Sequence, residues 1–289
     1  MKLESLPPLR EVVAAHGLLA RSSLGQSFIY DLNITDKIAR NCGDLPGCDV
    51  LEIGPGPGGL TRSLLSAGAR RVLSIEKDAR FIPALEEIAI ASGGRLSVRH
   101  GDAMEFDLDG ELEPPIVIAA NLPFNISSQL LAKWLRPNVW PPFWQSMTLM
   151  FQREVAERIL SCPGNRTYGR LSVLAQFRTI PRLVMHVPPT AFAPRPKVSA
   201  SVVGFVPRTR EPLDDTDQLM KVVALAFGQR RKMLRRSLST LGPGIENAIR
   251  ESGLDPASRA EDLSIQDYCA LTRKIFTELR LEQEDSLHD

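Results

Sequence analysis

Cysteine is scarce and scattered. Cys42, Cys48, Cys162 and Cys269 are the only four in 289 residues, and no two form a C-x-x-C pair. That spacing argues against a disulfide framework and a cysteine zinc site. The four histidines, His16, His100, His186 and His288, have no metal-ligand spacing either, so no metal is expected. No apolar run approaches the roughly 20 residues needed to cross a bilayer. The opening Met1-Lys2-Leu3-Glu4-Ser5-Leu6-Pro7-Pro8 has an early acid and no apolar signal core. The expectation is a cytoplasmic protein with no membrane partner. Charge of one sign is missing too, with 35 Lys+Arg against 34 Asp+Glu. Any affinity for a polyanion must then come from where the cations sit rather than from their sum.

Hydrophobic residues make up 43% of the chain, enough to bury a sizeable core. The length predicts one large domain with an appendage, or two domains. Short apolar runs at Val50–Ile53, Val72–Ile75, Leu96–Val98, Ile116–Ala120 and Met147–Phe151 read as strands. Residues at helical spacing follow at Leu60–Ser66 and Phe81–Ile90. This alternation predicts an α/β fold with a mostly parallel, doubly wound sheet. Leu183–Val187 and Ala200–Val206 look like further strands, expected antiparallel at one sheet edge. Pro207–Asp217 carries two prolines and six charges and reads as a linker. Beyond it, Gln218–Leu241, Ile245–Ser252 and Ile265–Leu281 read as helices with no strand between them. The division expected is residues 1–208 and a small all-helical domain over 209–289.

Gly54-Pro55-Gly56-Pro57-Gly58-Gly59 follows the first strand and opens the first helix. Glycine lets a ligand approach the backbone, and a helix N-terminus offers free N–H groups. The spacing Gly54, Gly56, Gly59 matches a dinucleotide fingerprint, with Glu76 about 20 residues on, where a ribose-binding acid is expected. Taken alone, the loop fits an NAD oxidoreductase as readily as a methyltransferase. Glu52 and the two prolines tilt it toward the E-x-G-x-G form that methyltransferases favour. Gly101-Asp102 closes the third strand, and a carboxylate there can accept an adenine amine.

Asn121-Leu122-Pro123-Phe124 ends the fourth strand on the same side. An aryl amine is a poor nucleophile because its lone pair is delocalised into the ring. The Asn121 amide oxygen and a backbone carbonyl at Leu122 or Pro123 can both accept its N–H bonds. That localises the lone pair and aims it at a sulfonium methyl. Pro123 stiffens the backbone, and Phe124 offers a stacking face worth about 1–3 kcal/mol. No general base is required, since the methylated amine can lose its proton afterwards.

With these motifs, nearly the whole chain resembles the KsgA family of dimethyladenosine transferases. The resemblance runs through Leu24-Gly25-Gln26-Ser27-Phe28-Ile29, Glu52-Ile53-Gly54-Pro55-Gly56 and Asn121-Leu122-Pro123-Phe124-Asn125-Ile126-Ser127. It continues at Gln152–Arg158, Tyr168–Ser172, Phe192-Ala193-Pro194-Arg195-Pro196-Lys197-Val198 and Ala226–Lys232. It implies a Rossmann-like methyltransferase sheet with a helical RNA-binding domain behind it. It also implies S-adenosylmethionine as methyl donor, leaving S-adenosylhomocysteine. The implied reaction dimethylates the N6 amines of two adjacent adenosines near the 3′ end of 16S ribosomal RNA, in a pre-ribosomal 30S particle, by a monomer. Cofactor contacts would fall at Ser27, Ile29, Gly54, Gly56, Glu76, Asp102 and Asn121. Phe124 and Phe192 would hold the target adenine. Ser27 stands where Asn or His is commoner in the family, and Phe124 where Tyr is commoner.

Lys197 is a candidate phosphate contact in the Phe192 loop. Arg230, Arg231, Lys232, Arg235 and Arg236 crowd one stretch. On a continuous helix from Lys221, Arg231 and Arg235 would share a face, as would Lys232 and Arg236, and are expected to grip RNA. An Erm-type methyltransferase of large-subunit RNA shares the fold and tetrapeptide. Gln152–Arg158 and Ala226–Lys232 favour the KsgA resemblance over it.

Overall fold

The structure is a computed structural model that describes residues 3–21, 26–106, 110–136, 139–209 and 215–285, with side chains to residue 277. The Leu24-Gly25 start of one motif and residues 210–214 of the expected linker lie outside the described residues. The chain forms two compact units. One comprises residues 1–133, 141–156 and 181–207, the other residues 134–140, 157–180 and 208–289.

The first unit is built on a sheet. After α1 (Leu9–Ala15), β1 (Phe28–Ile29) and α2 (Leu32–Arg40), the chain alternates β2 (Asp49–Ile53), α3 (Gly59–Ser66), β3 (Arg71–Glu76), α4 (Ile82–Ala91) and β4 (Leu96–His100). It continues through β5 (Ile116–Ala120), α5 (Ser127–Leu135), β6 (Ser146–Gln152), α6 (Arg153–Leu160), α7 (Arg170–Arg178), β7 (Thr179–Val187), β8 (Phe192–Ala193) and β9 (Ala200–Pro207). Seven strands lie in the order β4-β3-β2-β5-β6-β9-β7. The β4/β3, β3/β2, β2/β5 and β5/β6 pairs are parallel, and β9 runs antiparallel to β6. All seven sequence-expected strands are present, within a few residues at their ends.

The central strands are mainly apolar because parallel strands are covered on both faces, with Asp49 and Glu52 the buried charged exceptions in β2. Every residue of β2 and β5 is buried. The order reverses on either side of β2, where the chain runs outward to β3 and β4 and then returns to β5. A crevice therefore opens at the carboxyl ends of β2 and β5, the usual ligand position in such sheets. One small element was not expected. β1 pairs antiparallel with β8, setting Phe28 opposite Ala193 and Ile29 opposite Phe192. Two-residue strands carry no periodicity for a sequence to display.

The second unit is mainly helical, with α8 (Thr216–Gly228), α9 (Leu234–Ser237), α10 (Ile245–Glu251) and α11 (Ile265–Asp285). Its core joins Tyr168, Val173 and Phe177 to Leu219, Val222, Leu234, Ile249 and Tyr268. It therefore takes in α7, which precedes residue 209, because the apolar face of α7 packs into this cluster.

The single helix expected over Gln218–Leu241 is a correction. α8 stops at Gly228, Met233 bridges to Arg259 in extended conformation, and α9 starts at Leu234. Gln229–Lys232 form a turn. Arg231 and Arg235, and likewise Lys232 and Arg236, therefore share no helix face. The apolar spacing survives across the break, which is why it read as one helix.

Candidate active site

A pocket in the sheet unit collects sequence-expected residues from six places in the chain. It is lined by Ser27 just before β1, Phe28 and Ile29 of β1, Gly54 and Gly56 after β2, and Glu76, Lys77 and Asp78 at the end of β3. Gly101 and Asp102 after β4, Asn121 to Ile126 after β5, and Phe192 of β8 complete it. The strand ends converge because parallel strands in register finish at one edge. Ile53 is paired with both Ile75 and Ala120.

Glu76 is a buried carboxylate held from both sides. Gly56 N–H donates to its Oε2 at 2.9 Å and Asp78 N–H to its Oε1 at 2.8 Å. Burial raises its pKa, and backbone N–H bonds from Asp78, Gly56 and Lys77 oppose that rise. A carboxylate has about four acceptor positions, so a hydroxyl can still be accepted. Asp102 is partly exposed and receives Lys77 Nζ at 2.7 Å and Met104 N–H at 2.9 Å. The Lys77 bond is the chief cause of its lowered pKa, which keeps it an ionised acceptor. Lys77 gave no signal in the sequence, since a lone lysine beside an acid is ordinary.

Glu52 lines no part of the pocket. It lies beneath, fully buried, with Oε2 accepting from Thr61 Oγ1 and Ser74 Oγ at 2.7 Å each. Its Oε1 has no partner among the described residues. Burial pushes its pKa up to about 7. Its place is in the support of the loop rather than against a ligand.

The tetrapeptide begins one residue beyond β5. Asn121 is half-buried in the pocket wall, and Leu122 is buried. Pro123 lies beside the glycine loop, since a Cβ added at Gly54 would stand 3.8 Å from Pro123 Cδ. The Pro123 carbonyl accepts Ile126 N–H at 3.1 Å and the Phe124 carbonyl accepts Ser127 Oγ at 3.2 Å. These bonds form the turn that starts α5. Of the two carbonyls considered for the amine, Leu122 is therefore the one not engaged in that turn. Phe124 and Phe192 both reach the pocket, Phe124 half-buried and Phe192 buried within the core cluster.

The remaining candidates are not lining residues. Lys197 is exposed in the loop beyond β8, and Arg231, exposed, and Arg235, half-buried, belong to the helical unit. Arg230 of the same cluster is held by Glu261 at 2.5 Å. Among the described residues, no group of histidine, cysteine and carboxylate side chains could hold a metal ion. No helix among them is long and apolar enough to cross a membrane.

The pocket suits a nucleoside. Acids at two successive strand ends can accept ribose hydroxyls and an adenine amine. Gly54 and Gly56 leave no side chain in the way, and Ile29, Ile53 and Ile75 supply apolar contact.

A family described as ribosomal RNA adenine dimethylase matches residues 17–276. A protein of Ruegeria sp. (strain TM1040) called ribosomal RNA small subunit methyltransferase A is 58% identical over 275 residues, covering 94% of this chain and 98% of that protein. Its namesake in Paracoccus denitrificans is 58% identical over 273 residues, covering 94% of this chain and 96% of that one. Among solved structures, a dimethyladenosine transferase from Plasmodium falciparum superposes with a TM-score of 0.72 at 26% identity, covering 86% of this chain and 98% of that one. The 23S rRNA methyltransferase ErmE shares the fold, with a TM-score of 0.66 at 24% identity over 86% of this chain and 99% of its own.

Proposed function

Because this chain belongs to the ribosomal RNA adenine dimethylase family, we propose that it dimethylates the N6 amines of two adjacent adenosines near the 3′ end of small-subunit ribosomal RNA. The methyl donor is S-adenosylmethionine, no metal takes part, and the substrate is a pre-ribosomal 30S particle met by a monomer in the cytoplasm. The observation that carries this reading is the tetrapeptide Asn121–Phe124 in one pocket with Gly54, Glu76 and Asp102. The donor supplies an electrophilic methyl on a positively charged sulfur.

The protein's own residues do the rest. Glu76 accepts the ribose hydroxyls, Asp102 the donor's adenine amine, and Gly54, Gly56, Ser27 and Ile29 shape the walls. The Asn121 amide oxygen and the Leu122 carbonyl accept the two N–H bonds of the target amine and turn its lone pair toward the methyl. Pro123 holds that carbonyl in place. Phe124 and Phe192 flank the flipped base, offsetting the few kcal/mol that flipping costs. Lys197, Arg231 and Arg235 meet phosphate. The domain roles follow, with methyl transfer in residues 1–208 and RNA binding in 209–289.

Small-subunit RNA incubated with the protein and labelled donor, then digested for mass spectrometry, tests this reading. Dimethyladenosine at two neighbouring positions is the expected result. Label on large-subunit RNA instead would favour an Erm-type activity. Thermal protection by NADH and none by S-adenosylhomocysteine would return the pocket to a dehydrogenase.

A further inference from the structure

Ser27 donates its hydroxyl proton to the Pro194 carbonyl at 2.5 Å, joining segments 167 residues apart. This bond belongs to a larger arrangement. Gln26 Nε2 donates to Asp78 Oδ2 at 3.0 Å, while Gln26 Oε1 accepts Arg21 N–H at 2.9 Å. Phe28 and Ile29 then pair with Ala193 and Phe192. The Phe28 ring lies so close to the glycine loop that a Cβ added at Gly56 would stand 3.1 Å from Phe28 Cε1. Residues 26–29 thus form a strap over the pocket. One end is pinned to the acid two residues past Glu76, the other to the loop that carries Phe192.

We infer that Ser27 is a positioning residue, whose hydroxyl fixes the turn after β8 and so holds the Phe192 face at a set distance from the glycine loop. A serine has one O–H to donate, and Pro194 takes it. The side chain therefore acts on the loop of the target base. Asp78 helps by gripping Gln26, and its own charge is secured by Arg80 at 2.6 Å. The strap couples the two halves of the site, because a shift in either end moves the other. This inference rests on the donor and base sites proposed above.

The test uses the full chain in three forms, wild type, Ser27→Ala and Ser27→Thr. Calorimetry measures S-adenosylhomocysteine affinity, and steady-state transfer of label measures kcat/KM for small-subunit RNA. Ser27→Ala is expected to lower kcat/KM for RNA by roughly tenfold, about one net hydrogen bond, with S-adenosylhomocysteine affinity held within about twofold. Ser27→Thr keeps the hydroxyl and is expected to restore the rate. An equal loss of S-adenosylhomocysteine affinity in Ser27→Ala would make the hydroxyl a cofactor ligand and overturn the inference. An unchanged kcat/KM would overturn it as well. Failure of the functional reading would look different, since wild type itself would then transfer no label to that RNA.

Discussion

Two side chains on neighbouring strands illustrate how environment divides roles among acids. Glu76 sits at the pocket wall with backbone N–H groups on both oxygens, whereas Glu52 lies beneath with one oxygen unpartnered among the described residues. Glu52 is held at a pKa of about 7, above the ordinary glutamate value of about 4.5. Between those values the folded protein keeps a proton that the unfolded chain has lost. Stability from this group is therefore full below about 4.5 and falls as pH rises toward 7, by up to about 1.4 kcal/mol per pH unit. Above 7 the loss is constant. Glu52→Gln should flatten urea-unfolding stability between pH 5 and 8 and match wild type near pH 4.5; an unchanged slope would show that Glu52 is ionised in the fold. In the reaction proposed here Asn121, a residue of the pocket wall, contacts the amine itself. Asn121→Ala should lower single-turnover methyl transfer by about 10²-fold, with S-adenosylhomocysteine affinity much less affected. Equal losses in both would contradict the assigned role.

At the scale of elements, the glycine loop is shaped by what packs behind it. Gly58 caps α3 with φ of +87°, and a Cβ there would stand 2.2 Å from Ile88 Cδ1 of α4. Gly58→Ala should therefore cost about 1–3 kcal/mol from backbone strain alone, with further loss unless the Ile88 side chain moves aside. A thermal-melt midpoint equal to wild type would show that the α3–α4 contact is slack. The turn at Gln229–Lys232 teaches a complementary lesson. Apolar residues keep a helical phase on either side of it, Ala226–Phe227 and Met233–Leu234 seven apart, yet α8 ends at Gly228 and the chain crosses to pair Met233 with Arg259. Local periodicity cannot reveal that a tertiary bridge interrupts it.

For the whole molecule, a net charge of +1 means that RNA affinity depends on a few placed cations. Arg230 is occupied by Glu261, which leaves Arg231, Lys232, Arg235 and Arg236, and Arg231 with Arg235 is the pair to test first. Replacing both with Glu should weaken RNA binding and make the log–log salt dependence shallower by roughly 0.7–0.9 per lost phosphate contact. S-adenosylhomocysteine affinity should not change. An RNA affinity equal to wild type would leave both arginines as solvated charges.

Local patterning sufficed for the seven-stranded sheet and for most of the residues that line the pocket. Apolar runs, glycine spacing and strand-end acids are local signals, and the parallel register of β2, β3 and β5 brings those ends together. Asn121-Leu122-Pro123-Phe124 was legible as amine chemistry for the same reason, though the restriction to adenine in small-subunit RNA came from resemblance. Tertiary structure alone decided the rest. It set Phe28 and Ile29 against Ala193 and Phe192, spent the Ser27 hydroxyl on Pro194, put Lys77 on Asp102, and drew α7 into the helical unit. Each joins residues distant in the chain through one or two contacts, which leave no period in the sequence to be read.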